Sequence, residues 1–418
     1  MEAILNPDLL GLMRILIVTQ YFWPETFIVN DMARWLARSG HSVVVATGKP
    51  SYPSGQLAPG YTRHGVQYET FAGISVVRIP SRPRYGATPL DLALNYLSFA
   101  WSGLLRLPRL LKGQEFDVVL VFAMPITVAI PAIILHWIKR SHLALWVQDL
   151  WPEVVTSTGL IRSRLLVAAL DVVVRFIYRA ANSVLVQSNE FVGPIARIIP
   201  RQRIFVLPNF APSGEEECLC LPVAVEQLFR GRFSVVFAGN LGRAQSLSTI
   251  VDAARLLQIH PEILIIIAGT GSHAEPLRKA IAGSGLTNVE MVGVLDRRMM
   301  PALFELADCL LVTLGDHPAL NATIPSKMQA YMKAGRPIVG AINGAAADLI
   351  EAAGAGFAVQ AEDSAGLARS IAALFKMPTQ MRHELGRAGK AYYETHFDVD
   401  RVLSRLVGIL QSRTSCHA

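Results

Sequence analysis

The residues of this 418-residue chain best placed to do chemistry lie in short stretches that directly follow or precede apolar runs. In residues 324–342, I-P-S-K-M-Q-A-Y-M-K-A-G-R-P-I-V-G-A-I, Pro325 stops what precedes it and Ser326 is a good N-cap. Met328, Tyr331 and Met332 recur at helical spacing, Gly335 ends the helix and Pro337 blocks its continuation. The first turn of a helix has unpaired N–H groups and a partial positive charge. Ser326 and Lys327 therefore make either a phosphate seat or the start of an ordinary capped core helix. Two further stretches match it: G-N-L-G-R-A-Q-S at 239–246 and G-T-G-S at 269–272, each between a strand pattern and a helix pattern. Glycine lets backbone approach an anion, and Arg243 adds charge. One such loop is weak alone; three on one sheet edge favour a diphosphate-bearing ligand. Two cations and one helix end supply about 3 to 7 kcal/mol, short of the roughly 8 kcal/mol of micromolar binding, so base and sugar contacts must add to them.

A second group carries carboxylates among aromatics. Residues 20–25, Q-Y-F-W-P-E, place Trp23 and Glu25 after a buried strand, where aromatic faces suit a pyranose ring and a carboxylate accepts from hydroxyls. The alternative is a loop packing its aromatics on the next helix. Residues 148–153, Q-D-L-W-P-E, set Asp149 and Glu153 four apart around Trp151, as bases, hydroxyl ligands or an exposed turn. Residues 48–55, with Tyr52, form a turn-rich loop that is uninformative by itself.

The elements that must hold these loops alternate regularly. Strands are expected at 14–19, 42–47, 74–79, 118–122, 143–147, 183–186 and 204–207, with helices at 28–38, 90–111, 127–138, 163–180 and 190–198. Such alternation means a parallel sheet covered on both faces. It stops in residues 211–232, where prolines, Ser213-Gly214 and the acids at 215–217 suggest a linker. A second set follows, with strands at 233–238, 263–268, 289–292, 309–314, 338–342 and 356–359 and helices between them. The fold expected is α/β, two doubly wound, Rossmann-like domains facing a cleft: 13–210, the linker, 233–378, and helices in 379–411 returning across the first domain. Ligands in such sheets bind beyond the carboxyl ends of the strands.

Composition bounds the partners. With 52% hydrophobic and 17% charged residues, disorder is excluded and a large core is available. The net charge of +7 sits in one half: residues 1–214 hold 20 basic and 12 acidic side chains, and 215–418 hold 19 and 20. A basic first half suits anionic lipid, nucleic acid or a pyrophosphate-bearing substrate, and charge alone does not choose. Beyond the single C-L-C at 218–220 the four cysteines show no metal-ligand spacing, and they form no disulfide framework, so a reducing, cytoplasmic compartment is expected. Glu2 and Asp8 stand where a signal peptide would be basic, and residues 1–12 read as an upstream start or an extension. Residues 118–138 carry no formal charge and are long enough to span a bilayer. Pro125 and Pro131 interrupt them, and strand, turn, helix is the better reading. Residues 90–111 resemble a helix lying on a membrane surface, or equally a buried helix with a basic end.

Together these pieces resemble the family-4 retaining glycosyltransferases of the GT-B fold, in the bacterial subgroup that builds O-antigen, capsule and colanic-acid type polysaccharides. The resemblance rests on M-R-I-L-I-V-T-Q-Y-F-W-P-E with Asn30-Asp31, G-K-P-S-Y-P-S-G, V-Q-D-L-W-P-E, Q-S-N-E, P-N-F, A-G-N-L-G-R-A-Q-S-L, A-G-T-G and I-P-S-K-M-Q-A-Y-M-K-A-G-R-P-I, in family order over residues 13–411. It implies a nucleotide-sugar donor, usually UDP-linked, on the second domain, and as acceptor a polyprenyl-diphosphate-linked saccharide on the first. It further implies a cytoplasmic enzyme peripheral to the inner face of the membrane, with no metal, no cofactor and no nucleic acid partner. The sugar expected is an N-acetylated deoxyhexose such as N-acetylfucosamine. Carried over, Gly239, Asn240, Arg243, Gln245, Gly269, Thr270, Gly271, Ser326 and Lys327 face the donor. Asp149, Glu25 and Glu153 are the catalytic candidates, and Trp23, Asn30, Tyr52 and Trp151 face the acceptor. The chain departs from the family pattern where an arginine and a lysine are common, here Asn240 and Gln245, and where two acids eight apart are common, here Ala322 and Ala330. A nucleotide-sugar epimerase of the same architecture, or a non-catalytic sugar-nucleotide binder, are the competing expectations.

Overall fold

The computed structural model describes residues 11–52, 54–84, 88–157, 163–211 and 218–414. Most of residues 1–12, and the acids at 215–217, therefore lie outside the described residues. The chain forms two compact units, Met1–Pro208 with Asp400–Ala418, and Asn209–Val399.

In the first unit the strands are β1 (Arg14–Val18), β2 (Ser42–Thr47), β3 (Gln67–Phe71), β4 (Ile74–Arg78), β5 (Val118–Ala123), β6 (His142–Val147), β7 (Ser183–Val186) and β8 (Ile204–Val206). They form one sheet in the order β3-β4-β2-β1-β5-β6-β7-β8. Every residue of β5, β6 and β7 is buried, as parallel strands covered on both faces require. The unbroken apolar stretch at 118–138 divides as its prolines dictate, into β5, a 3-10 turn Ile126–Val128 and the helix Ala129–Lys139. Among the described residues no helix is long and apolar enough to cross a membrane.

Strand β3 is the departure from the parallel pattern: it pairs antiparallel with β4 through Phe71↔Ile74. The connection is the two-residue turn Ala72-Gly73, with φ of 49° and 83°. Hairpins of this type want positive φ at both centres, usually Asn-Gly or Asp-Gly. Alanine in the first place hides the signal.

In the second unit β9 (Phe233–Ala238), β10 (Ile263–Ala268), β11 (Val289–Gly293), β12 (Cys309–Thr313), β13 (Ile338–Ala341) and β14 (Gly356–Val359) form a parallel sheet in the order β11-β10-β9-β12-β13-β14. Much of the stretch read as linker belongs to this unit. The short helix Val223–Gln227 begins after Pro222, and Leu221 and Val225 are buried in the core of the β9–β14 sheet. The two C-terminal helices part company. Thr379–His396 packs on Lys327–Ala334 so closely that a Cβ on Gly386 would meet the Gly335 carbonyl at 2.1 Å. The segment from Asp400 joins the first unit: Trp35 Nε1 donates to Asp400 at 2.6 Å, and Arg413 donates to the Gln202 carbonyl at 3.0 Å.

Candidate functional site

Both sheets reverse their strand order, and the reversal opens a crevice at the strand ends. In the second unit it falls between β9 and β12. There the loops after β9 and β10 are laced together. Leu241 N–H donates to the Thr270 carbonyl at 2.8 Å, and His273 N–H to the Leu241 carbonyl at 2.8 Å. Gly239 and Gly269 have φ of 136° and 145°, where a side chain is strained. A Cβ on Gly269 would lie 1.9 Å from the Gly239 carbonyl, and one on Gly271 only 2.5 Å from that of Leu241. The N–H groups of Gly239 and Gly269 are already bonded to Ala268 and Gly293 carbonyls. These glycines thus serve close approach of chain to chain, and their own amides are not the ones free to meet an anion. Asn240 and Thr270 are exposed beside them, Asn240 with its side chain against Gly242 and Gly271.

The helix Lys327–Ala334 starts at the same place. Its second residue, Met328, donates to the Pro325 carbonyl at 2.9 Å, so the turn is already closed at the proline. Ser326 accordingly has helical φ and ψ and makes no side-chain cap, contrary to the capping expected from sequence; its hydroxyl is exposed. Lys327 reaches back along β9. Its Nζ lies 3.6 Å from the Phe237 ring centroid and donates to Gln245 Oε1 at 3.0 Å. Burial pushes its pKa down to about 7. Tyr331, one turn on, is fully buried and pins the end of β9: Ala238 N–H donates to its hydroxyl at 2.9 Å. Tyr331 thus positions the end of β9, a role that its place in the helical pattern with Met328 and Met332 does not reveal.

Arg243 is exposed in the 3-10 turn Arg243–Gln245. Behind that turn the loop after β12 docks, Gly315 N–H donating to the Ala244 carbonyl at 2.9 Å. A Cβ on Gly315 would stand 3.4 Å from Glu362 Oε1. Asp316, next to Gly315, accepts from Asn321 and Asn343 at 3.0 Å each, and those bonds hold its pKa below the usual value. Asp316 and Glu362 are the carboxylates of the loops that follow β12 and β14.

In the first unit the reversal lies between β1 and β5. Glu25 is buried and accepts from Ser51 N–H at 2.8 Å, Tyr52 N–H at 2.7 Å and Phe22 N–H at 3.3 Å. Burial raises its pKa while these three bonds oppose the rise. Asn30 is buried as well, bonded to Trp23 N–H at 3.0 Å and the Glu25 carbonyl at 2.7 Å. Glu25 and Asn30 therefore shape the loops, and the open side chains beside them are Trp23, 40% exposed, and Tyr52, 46% exposed. Behind these loops lies Arg78, fully buried, donating to the Trp23 and Gly48 carbonyls and to Glu69. An arginine in the last position of a strand gave no sign of this hub.

Asp149 follows β6, and burial pushes its pKa up to about 6. Its charge acts on Tyr96 and Tyr178, whose hydroxyls burial makes less acidic, that of Tyr96 to about 12. Trp151 stacks edge-on against Tyr96 with centroids 6.3 Å apart. The buried Tyr178 hydroxyl and Trp151 Nε1 have no hydrogen-bond partner among the described residues. Glu153 is exposed at the start of the helix Glu153–Ser157. Asp149, Trp151, Tyr96 and Tyr178 are thus brought together, and Glu153 stands more open. Among the described residues no cluster of His, Cys, Asp and Glu is arranged to hold a metal ion.

The family model for glycosyl transferases group 1 matches residues 224–392, and the glycosyl transferase 4-like domain matches residues 26–209. The chain belongs to the family-4 glycosyltransferases of the GT-B fold. Among relatives of this glycosyltransferase, the putative colanic acid biosynthesis glycosyl transferase WcaI of Escherichia coli (strain K12) is 23% identical over 338 residues, 77% of this chain and 82% of that protein. The probable glycosyltransferase WbjE of Pseudomonas aeruginosa is 25% identical over 274 residues, 62% of this chain and 66% of that one. In fold, the glycosyltransferase is similar to Anabaena HepE, solved with UDP and glucose, with a TM-score of 0.67 at 19% identity over 96% of this chain and 100% of that one. Sucrose-phosphate synthase from Thermosynechococcus elongatus gives a TM-score of 0.72 at 15% identity over 98% and 100%.

Proposed function

We propose that this glycosyltransferase moves a sugar from a UDP-linked donor to a polyprenyl-diphosphate-linked saccharide during synthesis of a surface polysaccharide, at the inner face of the cytoplasmic membrane. The observation that carries the donor side is the meeting of Gly239, Gly269 and Lys327 at one sheet reversal. In this reading the diphosphate lies across the turn Gly239–Gln245 with Lys327 and Arg243 as its cations. As the glycosidic bond to the donor breaks, charge grows on the leaving diphosphate, and cations already in place stabilise it without a metal. Lys327 is held against the Phe237 ring and Gln245, and an arriving anion gives that buried ammonium its counter-charge.

On the first unit, Asp149 takes the proton of the acceptor hydroxyl or holds that hydroxyl in place. A carboxylate with pKa of about 6 is ionised at neutral pH yet basic enough to accept. Trp23, Tyr52 and Trp151 offer ring faces to the saccharide, and Glu25 and Asn30 hold their loops. Transfer proceeds with retention of configuration, following the family. The UDP complex of HepE and the colanic acid name of WcaI support the choice of donor and pathway class.

The test is incubation of the full chain with a panel of UDP- and GDP-sugars, including UDP-N-acetylfucosamine, and polyprenyl-diphosphate saccharides. A glycosylated lipid with release of UDP is expected. No glycosidic product and no nucleotide release from any pairing would overturn the reading.

A further inference from the structure

The outward faces of three neighbouring helices in the first unit are apolar. Along Pro89–Leu110, the residues Leu90, Leu94, Leu97, Trp101 and Leu105 recur every third or fourth place and are exposed, Trp101 to 65%. The inward stripe of the same helix, with Leu92, Phe99 and Leu107, is buried. Helix Arg164–Ala180 repeats the arrangement: Leu165, Leu166, Val172 and Phe176 are exposed, Leu165 to 83%, and Val174, Ile177 and Tyr178 are buried. Between them runs Ala129–Lys139, with Trp137 and Ile138 exposed at its end. The three form one layer. A Cβ on Gly103 of the first would meet Pro131 of the second at 2.8 Å, and Trp137 meets Phe176 of the third with centroids 6.4 Å apart.

A helix lying on a sheet normally turns its polar stripe to water. Single exposed apolar residues need no explanation, but a continuous apolar layer across three helices marks a surface that is covered in use. The charges on these helices indicate what covers it. Arg106, Lys112, Arg140, Arg164 and Arg179 are exposed. The acids are spent internally: Asp91 is buried against Arg82 at 2.7 Å, and Asp171 pairs with Arg175 at 2.6 Å. Apolar side chains among exposed cations suit an anionic bilayer, in which the rings and leucines enter the acyl boundary and the cations meet headgroup phosphates. A second copy of this chain would bring the same cations face to face in a two-fold interface.

We propose that the outer faces of Pro89–Leu110, Ala129–Lys139 and Arg164–Ala180 form the surface by which the protein docks on an anionic lipid bilayer. The proposal rests on the reading that the acceptor is lipid-linked, and it names the face that meets the lipid. The experiment is sedimentation of the full chain with phosphatidylcholine vesicles, with or without phosphatidylglycerol. Binding to the anionic vesicles at least about tenfold tighter than to neutral ones, and weakening with salt, is expected. Leu97→Glu with Trp101→Glu, and separately Leu166→Glu with Val172→Glu, should each lower it about tenfold or more. Both variants should keep the parent's circular dichroism, its UDP-sugar affinity and its transfer to a short-chain, water-soluble acceptor analogue. Arg106→Glu with Arg140→Glu and Arg164→Glu should remove the preference for anionic lipid. Failure of the parent to bind, binding indifferent to lipid charge, or variants that bind as the parent does would each overturn the proposal. So would a dimer in solution that the leucine and tryptophan variants convert to monomer. Lipid-sensitive binding without transfer to any lipid-linked acceptor would leave the docking surface standing and overturn the functional reading instead.

Discussion

Lys327 Nζ donates to Gln245 Oε1 at 3.0 Å, joining the first turn of the helix Lys327–Ala334 to the 3-10 turn that follows β9. The cation is thereby held at the sheet reversal before any ligand arrives, with the Phe237 ring beneath it. Removing it with Lys327→Ala should weaken UDP-sugar binding by about 1.5 to 3 kcal/mol, the value of a charge-assisted hydrogen bond. The fold should be retained, because a buried ammonium is costly to keep and its loss relieves that cost. Titration calorimetry and a thermal melt of the same variant check both halves.

The lowered pKa of Lys327 also predicts a proton linkage. In the free protein the group is half protonated near pH 7. A bound diphosphate favours the charged form and raises the pKa, so binding takes up a proton at pH 7 to 9. Affinity for a UDP-sugar should then be highest below pH 7 and fall as pH rises above it. Calorimetry in buffers of different ionisation enthalpy measures the uptake, and Lys327→Met should abolish it.

Asp149 carries a conflict between stability and activity. Its pKa, about 6 in the folded chain, lies above the ordinary 3.8. The folded state therefore holds its proton more tightly than the unfolded state, and the stability linked to this group is lost as pH rises through 6. At pH 7.5 the ionised group costs up to about 3 kcal/mol. Asp149→Asn should melt higher than the parent at pH 7.5 and nearly the same at pH 4. Transfer by the variant should fall by about 100-fold or more, as loss of a general base does. Melting curves at the two pH values, beside product formation rates, decide it.

Which of these features could be read from the sequence follows from the kind of signal each gives. The alternation of buried strands and helices is written in local composition, and both sheets, the division of residues 118–138 and the places of the glycine-bearing loops after β9 and β10 follow from it. The turn Ala72-Gly73 was hidden because alanine rarely takes a φ of 49°. The role of Ser326 was misjudged because Pro325 closes the turn one residue earlier, which depends on a carbonyl and not on residue type. Glu25 and Asn30 look like open polar residues in a sequence. Only folding reveals that their oxygens are taken by backbone amides of the chain brought beside them. Arg78 and Tyr331 act through residues that are distant in sequence, and no local pattern marks such pairs.

Arg78 offers a test of the loops that follow β1 and β2. With its guanidinium fully buried and bonded to Trp23, Gly48 and Glu69, Arg78→Met leaves two carbonyls and a carboxylate without their donor. Breaking one side of a buried ion pair costs about 3 to 5 kcal/mol. Urea unfolding of the first unit's transition should shift by that amount. UDP-sugar affinity should stay within about twofold, since no donor residue touches Arg78.

The glycine after β10 tests whether the proposed donor site needs the close contact of the loops after β9 and β10. Gly269→Ala puts a methyl where the Gly239 carbonyl stands 1.9 Å away, at a φ of 145° that alanine resists. The loops after β9 and β10 must then part, and Lys327, which lies 3.3 Å from the Cβ position of Gly239, loses its place. The variant should bind UDP-sugar at least about tenfold more weakly, since a charge-assisted bond that no longer aligns is worth little. Gly283→Ala serves as the control, because its Cβ position is open and its helix favours alanine. Binding by Gly269→Ala equal to that of the control would mean that the diphosphate does not sit where these two loops meet.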